Sequence, residues 1–111
     1  MLLMKFSPLP ALSAQEVSRM LNAKHADTWS SFYAGTSKGA VLDERTMALI
    51  GLAAAIALDC EPCAEAYLAK CKEHGISDAE IADVLAKVMA VSAGKRKINF
   101  SRTFDRMRKE R

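Results

Sequence analysis

Residues 42–63 read LDERTMALIGLAAAIALDCEPC, and this stretch decides the fold class. Asp43 is a good helix N-cap residue, and the strong helix formers alanine and leucine dominate the residues after it. The uncharged run from Met47 to Leu58 has 12 residues, which is too short to span a bilayer. It predicts a helix over about 43–58 that is apolar all round and therefore has to be covered on every side.

Start and stop signals predict further helices on both sides of this stretch. Ser77 and Glu80 have the spacing of a capping box. Gly75, just before them, is placed to end the preceding helix with a left-handed residue. No strand-like alternation persists, so we expect an all-α fold. The predicted helices, besides that over 43–58, cover about residues 13–25, 27–33, 59–74, 77–94 and 99–110.

Length and composition favour one small domain over residues 1–111. Half of the residues are hydrophobic but only 6% are aromatic, a composition typical of packed helices. The N-terminal residues do not have the pattern of a secretory signal. Three cysteines without such a signal favour catalytic or metal-binding thiols in a reducing compartment. We therefore expect a cytoplasmic protein that does not enter a membrane.

The C-terminal residues are strongly basic. Residues 95–111 contain eight Lys or Arg and two acidic residues, a net charge of +6, although the whole chain carries only +3. Such a segment can bind nucleic acid, complement the dipole of a C-terminal helix, or contact an acidic neighbouring subunit. Only Phe100 and Phe104 interleave with the basic residues, so the pattern favours a protein neighbour over nucleic acid.

Cys60-Glu61-Pro62-Cys63 is the motif with the clearest chemistry. At a helix start, the helix dipole and unpaired N–H groups stabilise a thiolate. Cys63 lies about one turn after Cys60 on the same face, which permits attack, mixed-disulfide formation and resolution within one motif. The negative charges of Asp59 and Glu61 act against the thiolate, and the sequence leaves the balance of these effects open.

Three other interpretations of the cysteines stay open. They can be small buried hydrophobic residues. Together with Cys71 and His74 they form a C-x2-C-x7-C-x2-H pattern that suggests zinc. However, residues 64–70 are strongly helical, and a continuous helix separates Cys63 from Cys71 by about 12 Å, which one zinc ion does not bridge. Cys71 and His74 can also be a reactive pair, although a core cysteine and a cation near a helix C-terminus explain them better.

Residues 42–94 resemble the AhpD-like domain of the carboxymuconolactone decarboxylase-type family. The resemblance rests on three motifs in the same order and spacing: Asp43-Glu44-Arg45-Thr46-Met47 opening an apolar helix, Cys60-Glu61-Pro62-Cys63, and Gly75-Ile76-Ser77-Asp78 before the next helix. It implies an AhpD-like helical bundle, homo-oligomers such as trimers or hexamers, and thiol-dependent peroxide reduction. It also implies that Cys63 attacks the peroxide, that Cys60 resolves the intermediate, and that a nearby Glu and His move protons.

The chain departs from this family's proton relay. Tyr67 stands four residues after Cys63, where the family usually has His, and Ala48 stands where the family has Glu. Glu44, one turn before Ala48, is a possible substitute acid or base. Because the ordinary pKa of tyrosine is about 10, Tyr67 is a poor base at neutral pH, although its hydroxyl can donate a hydrogen bond. An ordinary core or interface tyrosine is an equally good interpretation.

The predicted function is a thiol-dependent oxidoreductase that reduces disulfides, or weakly reduces peroxide, through Cys60 and Cys63. Tyr67 and Glu44 are the further candidate site residues. The alternative is a catalytically inactive oligomer that binds a ligand or partner. The third possibility is a lactone decarboxylase, although that reaction does not need Cys-X-X-Cys. We expect a homo-oligomer, an unidentified thiol reductant, and neither a cofactor nor a resident metal ion.

Overall fold

The computed structural model describes residues 20–110, which form four α-helices and, within that range, no strand. The prediction of an all-α fold is confirmed. None of these helices combines the length and apolarity that a membrane crossing requires. The helices are α1 (Ala23–Gly35), α2 (Glu44–Ala57), α3 (Glu61–Glu73) and α4 (Asp78–Lys109).

The N-terminal part of the chain differs from the prediction. Residues 20–22 are not helical, and α1 begins after Asn22, whose carbonyl accepts the first helical hydrogen bond from the Ala26 N–H at 2.8 Å. Asparagine favours such a cap position because its side chain competes for backbone hydrogen bonds. The predicted helix over 13–25 is therefore wrong at 20–22, and its part before residue 20 lies outside the described residues. The predicted helix over 27–33 is part of α1.

Helix α2 begins and ends with identifiable caps. The Asp43 carboxylate accepts a hydrogen bond from the Thr46 N–H at 2.7 Å, as the sequence predicts. At the other end, the Cys60 N–H donates to the Ala55 carbonyl and the Asp59 N–H donates to the Ile56 carbonyl, which is a Schellman motif. Asp59 occupies the left-handed position of this motif with φ 52°.

Helix α3 starts directly after that turn. Cys60 is its N-cap residue, although its side chain caps no N–H, and Pro62 lies in the first turn, where a missing N–H costs nothing. A second Schellman motif ends the helix: Gly75 has φ 66°, and the Ile76 N–H donates to the Cys71 carbonyl at 3.0 Å. The predicted glycine cap is confirmed.

Helix α4 corrects the prediction of two C-terminal helices. The capping box of Ser77 and Glu80 is present, but the helix then runs without a break for 32 residues, through the region between 94 and 99. Gly94 lies in this region, and a glycine weakens a helix interior by about 1 kcal/mol. Gly94 is tolerated because the helix formers on both sides continue the hydrogen-bonding pattern, and one glycine does not outweigh them.

Helices α2 and α3 are antiparallel and share the core with the first turns of α4. The buried cluster consists of Ala48 and Leu52 from α2, Cys71 from α3 and Ile76 before α4. An ion pair between Arg45 and Glu80 links α2 to α4. This pairing places the start of α3 beside the end of α2, so the two cysteines lie at one end of the helix pair.

Much of the chain lies outside this small core. No residue of α1 or α4 is fully buried, and the radius of gyration is 18.8 Å, compared with about 13 Å for a compact domain of 100 residues. Exposed apolar side chains occur on α2 as well as on α4. The larger ones beyond α1 are Val41, Leu42, Ile50, Leu58, Leu68, Leu85, Met89, Val91, Ile98, Phe100, Phe104 and Met107.

Candidate functional site

The first turn of α3 holds the dithiol. Cys60 and Cys63 are joined by a disulfide, with their Cα atoms 5.2 Å apart. Both residues are half-buried. The left-handed Asp59 turns the chain sharply from α2 into α3 and sets the position of Cys60. The spacing of two cysteines one turn apart thus produces the pairing that the sequence predicts.

Cys71 is separate from this pair. It is not disulfide-bonded, it is completely buried, and its Sγ lies 4.0 Å from the Ala48 carbonyl oxygen. Burial raises the pKa of the Cys71 thiol, which keeps it protonated and unreactive at neutral pH. Within residues 20–110, no three His, Cys, Asp or Glu side chains are grouped as metal ligands. Cys71 is therefore a core residue.

Tyr67, one turn after Cys63 on α3, lines a cleft between α2, α3 and the residues just after α1. The cleft has a volume of about 330 Å³. The Tyr67 ring lies directly on Gly51 of α2, where a Cβ atom would overlap the ring atoms. The side chains and glycine around the cleft are Thr36, Ser37, Glu44, Met47, Ala48, Ile50, Gly51, Tyr67, Lys70, Glu73 and His74.

The hydroxyl of Tyr67 is a donor and not a base. Burial and a hydrogen bond with the Tyr33 hydroxyl raise the pKa of Tyr67 above its ordinary value, so the phenol stays protonated at neutral pH. The Lys70 ammonium lies 5.4 Å from the centre of the Tyr67 ring and donates to the Ser37 hydroxyl at 3.2 Å. These contacts hold the tyrosine against α2 at the edge of the cleft.

Glu44 faces His74 at the far end of the same cleft. The Glu44 Oε2 and His74 Nε2 atoms are 3.9 Å apart, an ion pair when the imidazole is protonated. His74 lies eleven residues after Cys63, so along α3 the two are about 16 Å apart at 1.5 Å per residue. Within one protomer, Glu44 therefore lies beside His74 in the cleft that Tyr67 lines. It does not lie beside the two cysteines.

Sequence reasoning missed His74 as a cleft residue and interpreted it as a cation at a helix end. The sequence spacing could have shown that His74 lies in the cleft. Tyr67, Lys70 and His74 follow Cys63 by 4, 7 and 11 residues, and on a helix that ends at His74 this spacing places all four on one face. Ala48, at the position of the family's Glu, also lines the cleft but is only 4% exposed. A carboxylate at this position would have to be buried.

A second, shallower pocket lies beside the dithiol. Its volume is about 240 Å³, and it is formed by Ala55 and Ile56 of α2 together with Asp59, Cys60, Glu61 and Ala64. The surface of this pocket is almost entirely apolar, although the acidic residues Asp59 and Glu61 contribute atoms to it. The negative charge there disfavours a thiolate at Cys60, while the N-terminus of α3 favours it.

These features define a class of small all-helical proteins with a Cys-X-X-Cys pair at a helix start. Residues 23–104 match the carboxymuconolactone decarboxylase family, and the chain belongs to this family. The chain is similar to a protein of Methanobacterium thermoautotrophicum whose crystal structure is known, with 25% identity and a TM-score of 0.72 over 79% of this chain and 98% of that one. No functionally curated protein matches it significantly.

Proposed function

We propose that the protein is a thiol-dependent oxidoreductase that works through Cys60 and Cys63. The observation that carries this proposal is the disulfide between these two cysteines in the first turn of α3, at two residues that are only half-buried. The third cysteine is buried and separate. A pair that closes within one turn can cycle between dithiol and disulfide without a rearrangement of the fold.

The reduction of a substrate disulfide then needs two exchange steps. The Cys63 thiolate attacks one sulfur of the substrate, and the other sulfur leaves as a thiolate that takes up a proton. The Cys60 thiolate attacks Cys63 in the mixed disulfide, which releases the second substrate thiol and closes the Cys60–Cys63 bond. A dithiol reductant, through the same two steps in reverse, restores both cysteines and is itself oxidised to a disulfide. The sequence predicts a reducing, cytoplasmic setting for this cycle.

Peroxide reduction is the slower branch of the proposed function. The Cys63 thiolate attacks a peroxide oxygen, the O–O bond breaks, and the leaving oxygen takes up a proton to form an alcohol or water. The Cys60 thiolate then displaces hydroxide, released as water, from the Cys63 sulfenic acid. Tyr67 cannot accept the Cys63 proton at neutral pH, because burial raises its pKa. General base help, worth about 10²–10⁴-fold, is therefore missing.

An assay of the wild type with dithiothreitol as reductant tests the proposal, with oxidised glutathione and hydrogen peroxide as separate substrates. Cys63→Ser should lower turnover of the disulfide at least a hundredfold. Cys71→Ala is the matched control, since it removes a buried thiol, and it should stay within about twofold of the wild type if it remains folded. Equal turnover by the wild type and Cys63→Ser would reject a role for the dithiol.

The cleft supports the alternative, a binding protein without redox chemistry. It brings Tyr67, Lys70, Glu44 and His74 together around apolar walls, as ligand sites do, and neither cysteine of the dithiol lines it. This alternative predicts that Cys63→Ser leaves every measurable property of the protein unchanged except its disulfide. No feature of the described residues specifically favours lactone decarboxylation, the third possibility.

A further inference from the structure

The C-terminal half of α4 projects from the bundle as a basic arm, defined here as residues 95–109. Every residue of the arm is exposed. It carries seven Lys or Arg and one Asp, a net charge of +6, whereas residues 20–94 carry six basic and ten acidic residues, a net charge of −4. An isolated helix of this length is marginal in water, so a continuous helix that is exposed along this whole length calls for a partner surface.

One side of the arm carries two aromatic residues, and along the helix a basic residue precedes them and another follows them. Phe100 is 69% and Phe104 49% exposed, and their ring centres are 6.0 Å apart. The Arg108 guanidinium lies 5.6 Å from the centre of the Phe104 ring. At about 100° per residue, Lys97 and Arg108 flank this aromatic side, whereas Arg102 and Lys109 lie on the opposite side of the helix.

The dithiol end of the bundle has the complementary surface. We call it the acidic face and define it by Leu58, Asp59, Glu61, Glu65 and Leu68. Leu58 is 77% exposed, and Leu68 is exposed as well. Within residues 20–110, none of the three carboxylates forms an ion pair. The apolar pocket next to Cys60, of about 240 Å³, opens at this face and shares Asp59 and Glu61 with it.

We infer that the arm of one copy of the chain docks on the acidic face of another copy, with Phe100 and Phe104 against Leu58 and the pocket at Cys60. Two arms repel each other because each carries +6, so pairing of arm with arm is disfavoured. The arm does not reach its own acidic face, because α4 is one continuous helix that leads away from its contacts with α2. The apolar and basic residues of the arm therefore complement the acidic face of another copy and do not contact the acidic face of their own copy.

Docking completes the surroundings of the dithiol. The cations that flank the aromatic side of the arm come to lie against Asp59, Glu61 and Glu65. Since these carboxylates disfavour a thiolate at Cys60, neutralising them favours it. A second copy therefore brings positive charge to the carboxylates next to Cys60. The docking itself does not depend on the redox function and is measured without it.

A charge-exchange experiment on the full-length protein tests this inference. Lys97→Glu with Arg108→Glu makes the aromatic side of the arm negative, and Glu61→Lys with Glu65→Lys makes the acidic face positive. Each double variant alone should lose self-association, measured as mass by light scattering, with circular dichroism as the folding check. Mixed together, the two variants should form complexes that contain both, because each now presents the surface that the other binds.

The matched control is Arg102→Glu with Lys109→Glu, which makes the same charge change on the opposite side of the arm. It should keep the wild-type mass. In a pH titration of the reduced protein, the ultraviolet absorbance of the thiolate should appear at a higher pH in Lys97→Glu with Arg108→Glu than in the control. A monomeric wild type, an equal loss of mass in the control, or a mixture that does not associate would each overturn the docking of arm on acidic face.

Discussion

The contact between Gly51 and Tyr67 determines where the tyrosine can lie. Because glycine has no side chain, the aromatic ring packs directly against the backbone of α2, and its hydroxyl reaches Tyr33. The residue that replaces the family's usual histidine is thus held by packing against Gly51. This arrangement explains why Tyr67 is suited to donate a hydrogen bond and unsuited to remove a proton.

Gly51→Ala should therefore have opposite effects in two backgrounds. In the wild type it should lower the free energy of unfolding by about 1–3 kcal/mol, because the new methyl group overlaps the Tyr67 ring. In a Tyr67→Ala background it should raise the free energy of unfolding by about 0.5–1 kcal/mol, the usual gain of alanine over glycine in a helix. Urea unfolding of the four proteins measures the cycle. If Gly51→Ala changed the free energy of unfolding in the same direction in both backgrounds, the Tyr67 ring would not be packed on Gly51.

The individual site residues were predictable to different degrees. The pairing of Cys60 with Cys63 could be predicted because it depends only on local helix geometry. Glu44 could be named as a polar residue at the start of α2, but its neighbour His74 lies thirty residues away in sequence and meets it only because α2 and α3 are antiparallel. Its role as a substitute acid or base for the cysteines stays a prediction, and one protomer places it beside His74.

At the scale of the helices, the start and stop signals located α2, α3 and the beginning of α4 well. Asp43, Ser77 and Gly75 act within one turn, so their effect can be predicted from a few neighbouring residues. The continuity of α4 could not be predicted in the same way. It depends on the summed preference of many residues around Gly94 rather than on one local signal.

Gly94→Ala tests the continuity of α4. An added Cβ at this position meets no atom within 4 Å outside its own helix, so the substitution should be free of overlap. If α4 is one helix, alanine should raise the free energy of unfolding by about 0.5–1 kcal/mol and increase the helical circular dichroism signal slightly. A loss of stability would indicate a turn at Gly94 that needs glycine.

The ion pair between Arg45 and Glu80 gives the contact of α2 with α4 a pH dependence. The Arg45 guanidinium, helped by the Ser77 N–H, lowers the pKa of Glu80. A carboxyl group whose pKa is lower in the folded state stabilises the fold above its unfolded pKa of about 4.3 and loses that effect as the pH falls through the folded pKa. The contribution should therefore decline as the pH falls below the unfolded pKa and be lost once it is below the lowered pKa of the folded state.

Glu80→Gln is the variant that isolates this effect. Glutamine keeps the hydrogen bond of the capping box but cannot ionise. The melting temperature of the variant should fall less than that of the wild type between pH 6 and pH 3. Asp27→Asn, at an exposed carboxylate of α1 without an ion pair among the described residues, is the control and should behave like the wild type. If the melting temperatures of the wild type and of Glu80→Gln fell equally with pH, Glu80 would not be the source of the pH dependence.

At the scale of the whole molecule, one protomer leaves too much apolar surface in water. The sequence predicts that α2 must be covered on every side, yet α3 and α4 cover only part of it, and Ile50 and Leu58 stay exposed. Monomeric proteins rarely expose connected apolar patches beyond a few hundred Å². Sequence periodicity could predict that a partner is needed, but the identity of the covering surface depends on the assembled molecule.

We therefore expect a stable homo-oligomer in solution. Burial of apolar surface stabilises by about 25 cal/mol per Å², so the assembly should persist at micromolar concentration. Size-exclusion chromatography with light scattering should give three or six times the protomer mass of 12.1 kDa. The expectation of a trimer or hexamer rests on the family resemblance, and the need for association rests on the exposed faces. A monodisperse species of the protomer mass would contradict both.

The most direct test of the proposed redox role is an equilibrium titration of the wild type in buffers of reduced and oxidised dithiothreitol, with mass spectrometry of alkylated samples. We predict one reversible two-electron transition that belongs to Cys60 and Cys63, while Cys71 stays reduced throughout. The same end points should be reached from the oxidised and from the reduced protein. A pair that stays fully reduced in oxidised dithiothreitol, or that forms its disulfide irreversibly, would contradict a redox function for this protein.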